Sequence, residues 1–218
     1  MANNTDFAKV TVKDVELLWP RLDQTYRYNS QEKKTEACAP SVQGAGWSVS
    51  WLMPNDEAKQ FFTGLKDHYN KVRESNRKLP EFGGVFGMKK QEDDDGNLTG
   101  FTQFTARKRA VSNQGKQNKE PRIVGPDLKN LEDKAIWTGS KGSVRALAFP
   151  TTDPDGKGGI SLLLDAVQVI EAVYGSDNLE DDFDVHEASE QFERMEDDHM
   201  ATASAAVANT AAPADAEF

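Results

Sequence analysis

The sequence predicts a mainly β domain, a small barrel or sandwich with one inserted helix, followed by an acidic tail. Three observations carry this expectation: several short alternating apolar segments separated by Gly, Asp and Asn, a single segment of helical spacing, and a sharp split of charge along the chain. From Ser176 to Phe218 there are 13 acids against one base, Arg194, so a chain of net charge −10 divides into a tail of −12 and a body of +2 with 25 bases and 23 acids. Like charges at that density do not pack into a core, and the tail reads as a disordered acidic interaction segment. The body, residues 1–175, has the size of one domain.

Within the body, residues 10–18 are β-branched and aliphatic and read as a strand. Tyr26, Arg27 and Tyr28 follow in a polar stretch. Residues 47–53 alternate, with Trp47, Val49, Trp51 and Met53 on one face, and this places both indoles in the core. Pro54-Asn55-Asp56-Glu57 looks like a helix start with Asn55 or Asp56 as cap, and Phe61, Phe62, Leu65, Tyr69 and Val72 continue at helical spacing until the chain meets Pro80. A Gly-rich segment, 83–87, leads to the turn Asp94-Asp95-Gly96-Asn97. Further strands are predicted at 101–111, 122–124, 142–149 and 160–173, the last two joined by the turn Thr152-Asp153-Pro154-Asp155-Gly156. In the tail, Leu179, Phe183, His186 and Phe192 give 178–198 some helical spacing, and 201–214 has the composition of a spacer.

The same reading excludes several chemistries. Cys38 is the single cysteine, so neither an intrachain disulfide nor a Cys-based zinc site is available, and a small half-buried role is expected for it. No basic segment followed by an apolar run opens the chain, and the longest apolar stretch, 162–164, is far too short for a bilayer. A soluble, intracellular protein with no membrane partner is expected. The segment from Gln91 resembles a calcium loop only superficially, since its first position is Gln91 and its twelfth is Thr102, where a bidentate Glu is required. Gly44-Ala45-Gly46 lacks the third glycine of a dinucleotide fingerprint. The histidines His68, His186 and His199 are scattered, and no nucleophile sits in a recognisable turn. The sequence thus offers no catalytic residue, no metal site and no cofactor, and does not argue for an enzyme.

What remains is a pattern of bases and rings on strands. If Thr102, Phe104, Ala106 and Ala110 point inward, Phe101, Gln103, Thr105, Arg107 and Arg109 share the opposite face. In 141–149, Gly142, Val144, Ala146 and Ala148 inward leave Lys141, Ser143, Arg145, Leu147 and Phe149 outward. Placed side by side, these strands present cations for phosphates and rings for unpaired bases, the requirement for binding single-stranded nucleic acid. An ordinary solvated strand face accounts for the pattern equally well. Tyr26, Tyr28 and Trp137 add stacking candidates, whereas 115–119 is as readily a basic hairpin loop.

Three segments resemble the single-stranded DNA-binding proteins of podovirus-type phages: Gly46-Trp47-Ser48-Val49-Ser50-Trp51-Leu52-Met53-Pro54 with the helix after it, Gly139-Ser140-Lys141-Gly142-Ser143-Val144-Arg145-Ala146-Leu147-Ala148-Phe149-Pro150, and Gly159-Ile160-Ser161-Leu162-Leu163-Leu164-Asp165-Ala166-Val167-Gln168-Val169. The ending Asp215-Ala216-Glu217-Phe218 is similar to that family's acidic tail with its last Phe. The resemblance implies a five-stranded oligonucleotide-binding (OB) barrel over residues 1–175 and an interaction tail over 176–218. It implies binding of single-stranded DNA in phage replication or recombination, in the cytoplasm of an infected bacterial host. It also implies recruitment of replication proteins, DNA polymerase or helicase-primase, through Asp215, Glu217 and Phe218, and it leaves a homodimer open. The family's DNA-contacting lysines would fall on Phe101 and Gln103, which are not basic, and its aromatics after the strand-ending proline would fall on Thr151 and Asp153. The expected contacts therefore move to Arg107, Arg109, Lys141 and Arg145 for phosphates, and to Tyr26, Tyr28, Phe101, Trp137 and Phe149 for bases. Two other readings share the pattern: an RNA-binding or nucleic-acid chaperone protein on the same fold, and a protein-interaction barrel that binds no nucleic acid.

Overall fold

A computed structural model describes residues 6–93, 95–112 and 114–175. The expected tail, with its helical spacing, His186, His199, Asp215, Glu217 and Phe218, lies outside the described residues, as does Asp94 of the predicted turn. The described chain forms β1 (Ala8–Asn29), β2 (Lys34–Ala37), β3 (Gly46–Pro54), α1 (Asn55–Ser75), β4 (Phe82–Val85), β5 (Lys89–Glu92), β6 (Leu98–Arg109), β7 (Arg122–Val124), β8 (Lys141–Thr152) and β9 (Gly158–Glu171).

Five strands close into a ring. β1 pairs antiparallel with β3 and with β8, β3 with β6, and β8 with β9, while β6 and β9 meet in parallel with Arg107 opposite Leu163. This order, β1-β3-β6-β9-β8 and back to β1, is the five-stranded, partly open OB barrel. α1 is inserted between the second and third strands of the ring. β2, β4, β5 and β7 extend its edges: β2 pairs with β1, β5 with β6, and β4 and β7 run parallel to β9.

The core follows from the alternation. Large inward residues on β3 and β6, Trp51 and Phe104, are fully buried and stacked 6.0 Å apart, and β8 contributes the small inward set Gly142, Val144, Ala146 and Ala148. Large opposite small lets a narrow barrel fill without voids. α1 closes one end. Its buried face carries Ala58, Leu65, Tyr69 and Val72, and Phe61 meets Phe104 edge-on at 5.1 Å. The Tyr69 hydroxyl donates to Pro80 O at 2.9 Å, pinning the chain where it leaves the helix. Cys38 is half-buried, as expected.

Two local expectations are corrected. Pro54 stands at the N-cap of α1 and no side chain caps the helix; Asn55 Oδ1 accepts a hydrogen bond from Thr102 Oγ1 at 2.8 Å and so ties the helix start to β6. The first strand does not stop at Leu18. β1 runs on to Asn29, so Tyr26 and Tyr28 lie within it, in a two-stranded hairpin with β2. Its continuity was hidden by irregularity: residues with positive φ, Asp14 and Trp19, coincide with shifts of register that break the period-2 pattern.

The seal between α1 and the barrel depends on a glycine. A Cβ at Gly158 would come within 2.0 Å of the Tyr69 hydroxyl and 2.8 Å of Glu81 O. Gly158→Ala is expected to cost about 1–3 kcal/mol and to lower the thermal unfolding midpoint by several degrees, and Tyr69→Phe in the same chain should restore part of the loss by removing the nearest atom. An unchanged midpoint in the single variant would contradict this packing.

Candidate nucleic-acid interface

From Thr105 the exposure along β6 alternates as the sequence predicts, with Arg107 and Arg109 exposed and Ala106, and Ala110 just past the strand, buried, whereas Gln103, expected on the outward face, is buried. Arg107 stands opposite Ser48 of β3, which stands opposite Arg21 of β1, so one row across three strands begins and ends on an arginine. Its guanidinium donates to Gly44 O. Burial, together with the neighbouring charges of Arg109 and Arg21, holds the Arg107 pKa below the ordinary arginine value. The group stays protonated at neutral pH because that value is so high. A cation held beside like charges is one that a bound anion stabilises.

Arg107 and Arg109 form one wall of a cleft of about 530 Å³, with Thr105, Ser161 and Leu163 at its base and Phe149, Thr151 and Phe86 around it. The register explains the layout. Across β9, Leu163 faces Arg107 on one side and Leu147 on the other, and Ser161 faces Phe149. The Phe149 ring packs against Phe7 at 5.6 Å and leaves its surroundings half-open. Thr151, at one position where the family resemblance implied an aromatic, lines the same cleft.

The expectation that the two basic strands lie side by side is corrected: β9 separates them. The tight turn after β8, closed by Asp153 N–H to Lys157 O at 3.0 Å, makes β8 and β9 antiparallel neighbours, and β1 occupies the other edge of β8. Strand β6 therefore reaches β8 only across β9.

The other predicted residues lie apart from this cleft. Lys141 pairs with Glu171 at 2.8 Å, a bond that also raises its pKa. Arg145 donates to Asp165 at 2.6 Å and lines a separate hollow of about 350 Å³ with Arg122, Leu128 and Gln168. Phe101 is exposed but sits opposite Pro54, six residues and about 20 Å of strand from Arg107. Tyr28 is exposed on the β1–β2 hairpin, while Tyr26 is half-buried, its hydroxyl donating to Asp23 at 2.9 Å and its pKa raised chiefly by burial. Trp137 is exposed and lies against Gly175, where a Cβ would come within 2.0 Å of the ring. The cleft thus unites Arg107, Arg109 and Phe149. Sequence reasoning missed Arg21, Phe86 and Leu163: the first lies past a bulge, the second in a segment read only as Gly-rich, and the third looks like core until its strand is seen to close the ring.

Two solved structures are similar. One is gp2.5, a single-stranded DNA binding protein encoded by bacteriophage T7, with 17% identity over 84% of this chain and 100% of that chain and a TM-score of 0.47. Another is the single-stranded DNA-binding protein from bacteriophage Enc34, as a C-terminal truncation, with 14% identity, 82% and 95% of the two chains covered and a TM-score of 0.45. Both are phage single-stranded DNA-binding proteins, the kind of protein that the three sequence segments resemble. No protein-family model and no curated protein matches the chain.

The ion pairs on β9 define a test that presumes no function. The exposed Lys141–Glu171 pair contributes only about 0–1 kcal/mol of stability, so Glu171→Gln should leave the unfolding midpoint nearly unchanged, and Asp165→Asn, in a half-buried pair, should lower it modestly, while the two variants free Lys141 and Arg145. Elution of the full chain from immobilised heparin should move to higher salt. Unchanged elution in both variants would mean that the carboxylates do not restrain these two bases.

Proposed function

We propose that the barrel binds single-stranded DNA without sequence preference, with the backbone running along the arginine row and a base stacked on Phe149. The observation that supports this reading best is the crowded Arg107, set between Arg21 and Arg109 over an uncharged base and facing an aromatic ring. A phosphate offsets the crowding and a base covers the ring, so both halves of a nucleotide have a counterpart. The outer face of the second and third ring strands, here β3 and β6, is also where OB barrels take up oligonucleotides.

In this reading the chain acts in phage DNA replication or recombination, in the cytoplasm of an infected bacterial host. Residues 176–218, with their charge of −12, compete with DNA as a polyanion. Phe218 with Asp215 and Glu217 forms an apolar anchor flanked by charge for a basic, apolar pocket on a DNA polymerase or helicase-primase.

Titration of fluorescent oligo-dT at several salt concentrations tests the groove. Arg107→Ala and Arg109→Ala should each weaken binding and make the slope of log affinity against log salt shallower by about 0.7, the single-strand value per phosphate neutralised. Phe149→Ala should cost about 1–3 kcal/mol of binding with little change in thermal unfolding. If all three variants bind as the natural chain does, the groove is not the site.

The tail is tested by two deletions that should dissociate. Removing 176–218 should raise single-strand affinity at low salt, with the gain fading as salt screens the competition. Removing Phe218 alone should leave DNA affinity nearly unchanged and weaken capture of the chain by the replicative polymerase or helicase-primase. Unchanged DNA affinity at low salt after the first deletion would exclude competition, and unchanged capture after the second would exclude the anchor.

A further inference from the structure

An exposed tryptophan on β1 stands near the arginine row and has no role in the fold described above. Leu18 faces Ser50 and Arg21 faces Ser48, so Trp19 and Pro20 together oppose the single residue Val49. This is a β-bulge, the device by which a strand re-aims a side chain. Trp19 has φ +43°, a left-handed conformation that costs energy for a residue with a bulky side chain, and the residue is 51% exposed. Its backbone N–H donates to Thr138 Oγ1 at 2.9 Å, which holds the strained residue in place. The energetics of folding alone disfavour both the strain and the exposure of so large an apolar ring.

Lys89 of β5 supplies the second observation. Its Nζ lies 5.6 Å from the centre of the Trp19 ring, although β1 and β5 are separated in the sheet by β3 and β6. The pair therefore spans the outer face of these two strands. Ser50 and Gln103, outward positions on them, are each only 6% exposed. Trp19 lies on the same outer face as Arg107, one register step along: the row Leu18-Ser50-Thr105 is next to the row Arg21-Ser48-Arg107.

We infer that Trp19 is a second base-stacking platform on the track of the single strand, with Lys89 as the phosphate partner beside it. The inference rests on the proposed single-strand binding and extends it from one stacked base to two. In the free protein the ammonium covers the ring. When DNA arrives, a base replaces the ammonium on the indole, and Lys89 turns to the adjoining phosphate. The exchange is favourable by magnitude: an exposed cation–π contact is worth a factor of about two to five, a stacked base about five to 150, and the lysine regains an anionic partner.

The experiment is a titration of the full-length chain with oligo-dT, read by affinity, salt slope and tryptophan fluorescence. Trp47 and Trp51 are buried, so any quenching comes from Trp19 or Trp137. Trp19→Ala should weaken binding at least about fivefold without changing the salt slope, and should remove most of the quench. Trp19→Phe should also remove the quench yet keep most of the affinity, because a ring is retained; Trp137→Phe should keep the quench. Lys89→Ala should make the slope shallower by about 0.7. If the Arg107→Ala, Arg109→Ala double variant loses affinity while Trp19→Ala binds with wild-type affinity, single-strand binding stands and the second platform is overturned. If that double variant also binds as the natural chain does, the underlying reading fails and the platform with it.

Discussion

The parallel meeting of β6 and β9 at Arg107 and Leu163 is the contact on which the arrangement depends. It closes five strands into a ring and places β9 between the strand that carries the arginines and the strand that carries Phe149. Because side chains alternate along β9, Leu162 and Leu164 enter the core while Ser161 and Leu163 face outward. The cleft consequently has an uncharged base, a cationic wall and an aromatic wall. Charges of one sign gathered in a concave cleft focus the field more than the same charges on a convex surface, so a few arginines contribute strongly to the local potential.

Much of the barrel was legible in the sequence because its strands keep period 2. Trp47 to Met53 on β3, Thr102 to Ala106 on β6 with Ala110 just after it, and Gly142 to Ala148 on β8 all bury the residues that alternation assigned to the core. The helix was legible from Leu65, Tyr69 and Val72, and the β8–β9 turn from Asp153 and Gly156. What sequence could not supply was long-range pairing. The Gly-rich segment gave no sign that it would become β4 in parallel with β9, and the polar run after Leu18 gave no sign that β1 continues through a bulge.

The site was less legible than the fold for the same reason. Arg145 and Lys141 fit the outward pattern as well as Arg107 does, and what separates them is a carboxylate on the next strand, 20 to 30 residues along the chain. Asp165 and Glu171 sit on β9, across from these two bases, and no short-range rule pairs them. The aromatics divide likewise: Phe101 and Phe149 occupy equivalent outward positions, but about 20 Å of strand separates Phe101 from the arginines, whereas the β9 register brings Phe149 to them. Trp19 was invisible because its exposure is created by a backbone conformation.

Among the described residues, the cleft around Arg107 and the hollow around Arg122 and Arg145 are both basic, and the proposed function puts the single strand in the first. Mapping backbone amide NMR shifts of the full chain on addition of oligo-dT distinguishes them most directly. The predicted result is perturbation concentrated at residues 19–21, 48, 86–89, 105–109, 147–151 and 161–163, with residues 122–128 little affected. Perturbation centred on 122–128, with the Arg107 cleft silent, would contradict the account.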